Sequence, residues 1–413
     1  MYARWIGERI EQLAQGLPAV FLQGARQVGK TTLARQMVER GLYDAYYTLD
    51  DPTILEAARR DPTQFARDLP ARAVIDEVQR APELLLPLKM RIDSERAQVR
   101  FLLTGSASPL ALPQVADALV GRMALLTMYP LSQGELTGVR ESWIARAFAG
   151  EFRAKHYDAT PESLWQCVHR GGYPVAVALG EPSLRSEWLR SYIDTLLTRD
   201  LRTLAAIGRT AELTRLMQLL ASLSCQILNL SNLSRETGIA YTTLQRYMAL
   251  LETLMVVVRV PPWYANLSKQ LLKSPRVMLN DTGLALALLH KSSETLVSEP
   301  HLRGRMLENF VGMELLKQMS YSDYSARLYH LRSAKGEEID FVLEDDQGRL
   351  LGVEVKASAT VRADDFKRLE AFRRLLGAQW AGGVVFYLGA QAIPFREGQW
   401  ALPLASLWDA ARD

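Results

Sequence analysis

The sequence predicts an α/β protein in several parts. A mostly parallel sheet of the P-loop type comes first, a helical and helix-turn-helix region follows, and an αβββαβ unit closes the chain. Three observations predict this. The short apolar run Ala19–Gln23 is followed at once by Gly24-Ala-Arg-Gln-Val-Gly29-Lys30-Thr31 and then by apolar positions at helical spacing, the strand–GxxxxGK(S/T)–helix order. Ala73-Val-Ile-Asp76-Glu77 is an apolar strand ending in two acids. From about Arg305 the periodicity changes to helix, three strands, helix and strand. A chain of 413 residues exceeds a single core. The expected divisions are 1–138 for the first sheet, 139–204 for a helical linker or lid, 205–299 for a winged helix and 300–413 for the last unit.

The first part is expected to bind and hydrolyse ATP. In Gly24, Ala25, Arg26, Gln27, Val28, Gly29, Lys30, Thr31 and Thr32, the glycines let backbone N–H groups turn toward phosphate, and the following helix aims its N-terminus at the same anion. Lys30 is placed to reach the β- and γ-phosphates and the Thr31 hydroxyl to ligate Mg²⁺. Asp76 suits the same ion through its water shell, and Glu77 is the candidate to polarise the attacking water. Ala45–Leu49, Arg100–Thr104 and Met123–Met128 supply further strands. The Thr104-Gly-Ser106 hydroxyls lie where a γ-phosphate sensor or a simple tight turn is expected. Arg122 is either the charge-stabilising arginine, in cis or from a second copy in a homo-oligomer, or a salt-bridged surface residue.

These residues resemble a known family. Gly24-Ala-Arg-Gln-Val-Gly-Lys-Thr-Thr-Leu, Val74-Ile-Asp-Glu-Val-Gln, Leu102-Leu-Thr-Gly-Ser, Gly121-Arg and Pro130-Leu-Ser look like the prokaryotic AAA-type ATPases that carry a C-terminal domain of unknown function. The resemblance spans nearly the whole chain and implies ATP hydrolysis, without implying a substrate.

Residues from about Val139 to Arg202 read as helical, with a break at Gly171-Gly-Tyr-Pro174. A short helix ending at Gly238 and a second opening near Thr242 have helix-turn-helix spacing. Leu244, Tyr247, Leu251 and Leu254 would face the core. Thr242, Thr243, Gln245 and Arg246 would face out, residue types able to contact base edges or phosphates. Val256–Val260 and Arg276–Leu279 would form the strands of a wing. Between Leu254 and Asn280 the charged residues are Arg259, Lys269, Lys273 and Arg276, with no acid, a patch suited to a phosphate backbone. Packing alone is the competing reading.

In the last part, Met306–Gln318 reads as a helix, Ala326–Arg332, Glu338–Glu344 and Leu350–Lys356 as strands, Ala363–Leu376 as a helix and Gly383–Leu388 as a strand. The order αβββαβ, with Asp340 followed by Glu354-Val-Lys356, resembles the PD-(D/E)xK restriction-endonuclease-like fold, and Glu308 sits where many such nucleases carry a further acid. Ile339, Phe341 and Leu343 would face one side of their strand, and Glu338, Asp340 and Glu344 the other. A turn centred near Gln347 sets Asp340 across from Glu354. Opposed carboxylates repel unless compensated, and Mg²⁺ or Mn²⁺ held by Glu308, Asp340 and Glu354 is one compensation, with Lys356 activating a water. Neutralisation by Lys356 in a structural cluster, or a fold kept only for binding, stay open.

Composition sets the surroundings. A net charge of +3 is close to balance and neither demands nor excludes nucleic acid. Two cysteines, Cys167 and Cys225, rule out a disulfide framework. No apolar run approaches the ~18–20 residues of a membrane span, and the start lacks a signal-peptide pattern. A cytoplasmic protein without membrane contact is expected. ATP-dependent DNA binding or processing is the expected function. An ATP-gated switch whose later domains bind proteins is the alternative.

Overall fold

The computed structural model describes residues 2–106, 121–197, 210–264, 274–332 and 338–409. It divides into two compact units, Met1–Pro130 with Thr253–Met255, and Leu131–Glu252 with Val256–Asp413.

The first unit holds a five-stranded, all-parallel sheet: β1 (Ala19–Gln23), β2 (Ala45–Thr48), β3 (Arg72–Asp76), β4 (Arg100–Gly105) and β5 (Met123–Thr127), in the order β2-β3-β4-β1-β5. Both faces are covered, as a parallel sheet requires. Ala19, Phe21, Ala73, Ile75, Phe101 and Leu103 alternate onto one core with Leu85, Leu88 and Ile92 of the helix Leu85–Glu95. Their neighbours Val20, Leu22, Val74 and Leu102 are equally buried on the opposite face. The strand order positions the site. Because β4 runs between β1 and β3, Thr104 at its end stands between the loop that follows β1 and the acids that end β3.

In the second unit, helices occupy Trp143–Ala149, Pro161–Arg170, Pro174–Ala178 and Pro182–Thr195. The expected helical stretch is therefore interrupted between Gly150 and Thr160, where Gly150 ends its helix at φ +69° and Pro161 opens the next. Residues 198–202 of that stretch lie outside the described residues. Leu131–Thr137 belong to this unit. Lys317 Nζ donates to the Leu131 carbonyl (2.9 Å), and Gln133 N donates to Glu314 Oε2 (2.9 Å).

The helix Leu230–Thr237, capped by Gly238 at φ +71°, precedes the helix Tyr241–Thr253. The antiparallel ribbon of β6 (Val257–Val260) and β7 (Arg276–Leu279) follows.

The last sheet has six strands: β8 (Ala326–Arg332), β9 (Glu338–Asp345), β10 (Leu350–Val355), β11 (Trp380–Tyr387), β12 (Ile393–Arg396) and β13 (Gln399–Pro403), ordered β12-β13-β11-β10-β9-β8. β8, β9 and β10 form an antiparallel meander, and β10 pairs with β11 in parallel. The helix Lys367–Leu376 makes that crossover, packing Leu369 and Phe372 on Val342, Leu350 and Val385. The pair β12–β13 extends the expected αβββαβ order. The 22-residue helix Pro300–Tyr321 covers the opposite face. At Gly312 it approaches so closely that a Cβ would lie 2.6 Å from both Phe341 Cζ and Met278 Sδ. Gly312 thus brings Glu308, one turn earlier, toward β9. This sheet is covered on both sides, so the face carrying Asp340 and Glu354 is buried rather than solvated.

Candidate nucleotide site and C-terminal carboxylate cluster

The loop after β1 is shaped by close backbone approach. A Cβ on Gly24 would lie 2.4 Å from the Met128 carbonyl oxygen, so only glycine fits there. Gln27 and Gly29 take positive φ (+64° and +101°), turning the loop into the helix Lys30–Glu39. Val28 is buried beneath the loop, while Arg26 is half-buried and Gln27 and Thr32 are exposed. Lys30 is buried, its ammonium donating to the carbonyls of Gly24 (2.8 Å) and Ala25 (3.0 Å). Burial lowers its pKa to about 8 against the pull of Glu77 and Asp76, so it keeps its proton at neutral pH.

Asp76, 1% exposed, is held by three hydroxyls. Thr31 donates to Oδ2 at 2.9 Å, Tyr46 donates to the same oxygen at 2.6 Å, and Thr104 donates to Oδ1. A threonine hydroxyl beside a carboxylate is the donor set that Mg²⁺ accepts. Thr31 and Asp76 would hold the ion, which supplies neutralisation of phosphate charge.

Glu77 sits in the left-handed region at φ +60°, ψ +42°, a conformation costing a non-glycine residue about 1–2 kcal/mol. Its surroundings fix it there. Its N–H donates to Thr104 Oγ1 (3.2 Å), and its Oε2 accepts from Ser106 Oγ (3.3 Å) and from Gln79 Nε2. Gln79 also donates to Ser106 (3.0 Å). Thr104 and Ser106 therefore orient the two acids. Tyr46 and Gln79 had no role from the sequence, although Gln79 lies two residues after Glu77 within the quoted motif.

Arg122 lies elsewhere. It precedes Met123, which is level with Ala19 at the start of β1, whereas the phosphate loop leaves from Gln23 at the other end. That separation is about 16 Å at ~3.3 Å per residue. Its guanidinium is bidentate on Asp93, at 2.5 and 3.0 Å. Action in cis is incompatible with this placement.

Residues 17–137 match the family model described as AAA domain. They form an AAA-type P-loop ATPase domain. Residues 161–295 and 303–407 match two domains of unknown function, DUF8612 and DUF4143. An uncharacterized protein of Mycobacterium tuberculosis and one of Mycobacterium bovis are each 29% identical over 396 residues, covering 96% of this chain and 82% of theirs. Among solved structures, the Walker-type ATPase of Pyrococcus abyssi aligns at TM-score 0.42 and 16% identity, covering 70% of this chain and 96% of that one.

Beyond the ATPase domain, the second unit carries the acid cluster. The register Val353↔Phe341 continues to place Glu354 across from Asp340. Asp340 Oδ2 accepts from Val355 N (2.9 Å), and Lys356 Nζ lies 3.1 Å from Glu354 Oε2. Glu354 Oε1 is buried without a hydrogen-bond partner. Burial, then the charge of Asp340, raises Glu308 and Glu354 each to about 8, opposed by Arg276 at Glu308 and by Lys356 at Glu354.

Arg276, expected on the wing surface facing phosphate, is instead 3% exposed and turned into this cluster. It donates to Glu338 Oε2 (3.1 Å) and to the Asp340 carbonyl (3.1 Å), and lies 3.6 Å from Asp340 Oδ1. The reason is electrostatic: buried acids need a cation, and β7 supplies one. Glu308, Asp340 and Glu354 thus share one electrostatic neighbourhood. Among the described residues, however, no three His, Cys, Asp or Glu side chains stand close enough together to hold a metal ion.

On the helix Tyr241–Thr253, Leu244, Tyr247 and Leu251 are buried, Thr242, Gln245 and Arg246 are exposed and Thr243 is half-buried. Leu254, just beyond it, is also buried. Arg259 pairs with Glu252, so the acid-free segment is not free of acids in space. Lys269 and Lys273 lie outside the described residues. No helix among the described residues is long and apolar enough to cross a membrane.

Proposed function

We propose that the chain couples ATP hydrolysis in its first domain to DNA binding by its second unit. The observation carrying this reading is the outward face of the helix Tyr241–Thr253. Leu244, Tyr247, Met248 and Leu251 are buried, whereas Tyr241, Thr242, Gln245 and Arg246 are exposed soon after a glycine turn. The ribbon β6–β7 follows this helix pair in the chain, the element order of a winged helix, whose second helix meets the major groove.

In the ATPase domain, Lys30 and the loop N–H groups bind the β- and γ-phosphates, and Thr31 with Asp76 carry Mg²⁺. Glu77 orients the attacking water while Thr104 and Ser106 hold both acids in register. A role for Arg122 at the phosphate would require a second copy, because in its own chain it forms the surface salt bridge with Asp93. The Asp340–Glu354–Lys356 arrangement supports strand binding over cutting, because Arg276 already neutralises the acids that a divalent cation would use.

The test is the ATPase rate of the full chain with single-stranded, duplex and branched DNA added in turn. Stimulation by one of them, lost on Arg246→Glu, is expected. An unchanged rate with all three, and no binding to any, overturns the reading.

A further inference from the structure

A cleft of about 350 Å³ opens beside Lys356 in the second unit, lined by Arg303, Lys356, Ser358, Thr360, Arg362 and Asp365 among others. Three of these side chains are cationic, two carry hydroxyls and one is an acid. Asp365 is committed locally, its Oδ2 accepting from Arg362 N at 2.8 Å.

Two arginines line this cleft without a carboxylate within 4 Å among the described residues, a property they share with Arg305, Arg327 and Arg396 but not with most of their neighbours. Arg332, Arg349, Arg368, Arg373 and Arg374 each lie within 4 Å of a carboxylate. Arg303 and Arg362 have no such ion pair among the described residues. Arg303 is also the more constrained of the two. Its guanidinium stacks 4.7 Å from the Trp165 ring centroid, and its Nε is buried with no hydrogen-bond partner. A planar guanidinium fixed on an aromatic face keeps its edge N–H groups for an oxyanion, the geometry in which arginine binds phosphate. Ser358 and Thr360 hydroxyls lie 3.3 Å apart in the same wall, and hydroxyls donate readily to phosphate oxygens.

We infer that this cleft is a phosphate-ester site that holds one backbone phosphate of a nucleic-acid strand next to the Lys356–Glu354–Asp340 cluster, with Arg303 and Arg362 as its two cations. The volume admits roughly one nucleotide, and a phosphodiester would supply the anionic partner that Arg303 lacks among the described residues, with Arg362, whose nearest acids are Asp364 and Asp365, as the second cation. The assignment of a strand as ligand rests on the DNA reading above, whereas the assignment of phosphate rests on the cleft alone.

Two measurements on the full chain test it. In fluorescence anisotropy with a labelled single-stranded oligonucleotide, Arg362→Ala should weaken binding roughly tenfold. It should also reduce the dependence of log affinity on log salt by about 0.7–1, one phosphate contact. Arg362→Lys, which keeps the charge, should restore most of the salt dependence. Arg303→Ala should behave like Arg362→Ala, and the exposed Arg362 guards against misfolding at the half-buried Arg303. In the Lys30→Ala chain, where the P-loop no longer binds phosphate, pyrophosphate should raise the melting temperature, and Arg362→Ala should abolish that rise. Oligonucleotide bound with equal affinity and salt slope by wild type and both alanine variants overturns the cleft as a phosphate site. A pyrophosphate shift that depends on Arg362, with no oligonucleotide bound by any form, overturns the strand assignment and the DNA reading while leaving a small-phosphate pocket.

Discussion

Two pairs of acids sit on or beside strands in this chain, and they are stabilised by different means. Asp76 and Glu77 are hydrogen-bonded by neutral donors, the hydroxyls of Thr31, Tyr46, Thr104 and Ser106 and the amide of Gln79, while the Lys30 ammonium acts on them only through space. Asp340 and Glu354 have cations beside them, the buried Arg276 and the more exposed Lys356 and Arg368. A hydroxyl that donates to a carboxylate can rotate and give that oxygen up to a metal ion at small cost. A buried guanidinium cannot leave without exposing the charge it was balancing. The first site thus offers donors that an ion could displace, whereas the second already holds a buried cation beside its acids.

The strongest way to break this comparison is at the ATPase site. Lys30→Ala should abolish measurable nucleotide binding. Glu77→Gln should retain binding but slow turnover by about 10²- to 10⁴-fold. Equilibrium binding of a fluorescent ATP analogue and a phosphate-release assay read the two separately, and wild-type rates in both variants would remove these residues from the reaction.

The next effect lies in the second cluster. Arg276→Met leaves Asp340 without its buried cation and Glu338 with Arg332 alone, and should cost about 3–5 kcal/mol, read from denaturant midpoints of the full chain. If Arg276→Met were neutral, and Mn²⁺ raised the melting temperature of that variant alone, the second site would prove to be a metal site held shut, and the contrast would collapse.

A smaller effect concerns His330, one strand away on β8. Burial, reinforced by Arg276, lowers its pKa from 6.5 to about 3, so the folded state holds the neutral ring. The unfolded chain binds the proton more readily. The stabilising contribution is fully present above pH 6.5 and is lost as pH falls from 6.5 toward 3. Stability curves of wild type and His330→Gln should diverge only on that acid limb. Parallel curves there would show that His330 titrates normally. The smallest effect is at the surface: Arg246→Ala should leave stability within about 0.5 kcal/mol and lower the salt slope of DNA binding by about 1. An unchanged slope would assign this helix to packing.

The nucleotide site was legible because its chemistry is local. The Gly24–Thr31 spacing and the Asp76-Glu77 strand end are written in consecutive residues, and short apolar runs placed all five strands of the first sheet. Tyr46 and Gln79 were not legible, since their roles depend on which strands become neighbours. The same limit applied more strongly to Arg276. In sequence it lies in an acid-free segment, and only the packing of β7 against the last sheet turns it from a surface charge into the partner of Asp340. The opposition of Asp340 and Glu354 could be counted from one turn, but the burial of both faces of β9 could not. Strands β12 and β13 were missed because Ile393–Arg396 and Gln399–Pro403 are short, and prolines interrupt them at Pro394 and Pro403.

The left-handed backbone at Glu77 has a consequence for anyone who tries to improve this protein. Glycine, and to a lesser degree asparagine, occupies that conformation with less strain. Either would relax the turn after β3 while deleting the carboxylate that Gln79 and Ser106 hold. A directed-evolution campaign scored on heat resistance alone would therefore favour glycine at position 77. On the role proposed for Glu77, it would yield a hardier chain that binds nucleotide but turns it over slowly, a local instance of the trade between durability and turnover.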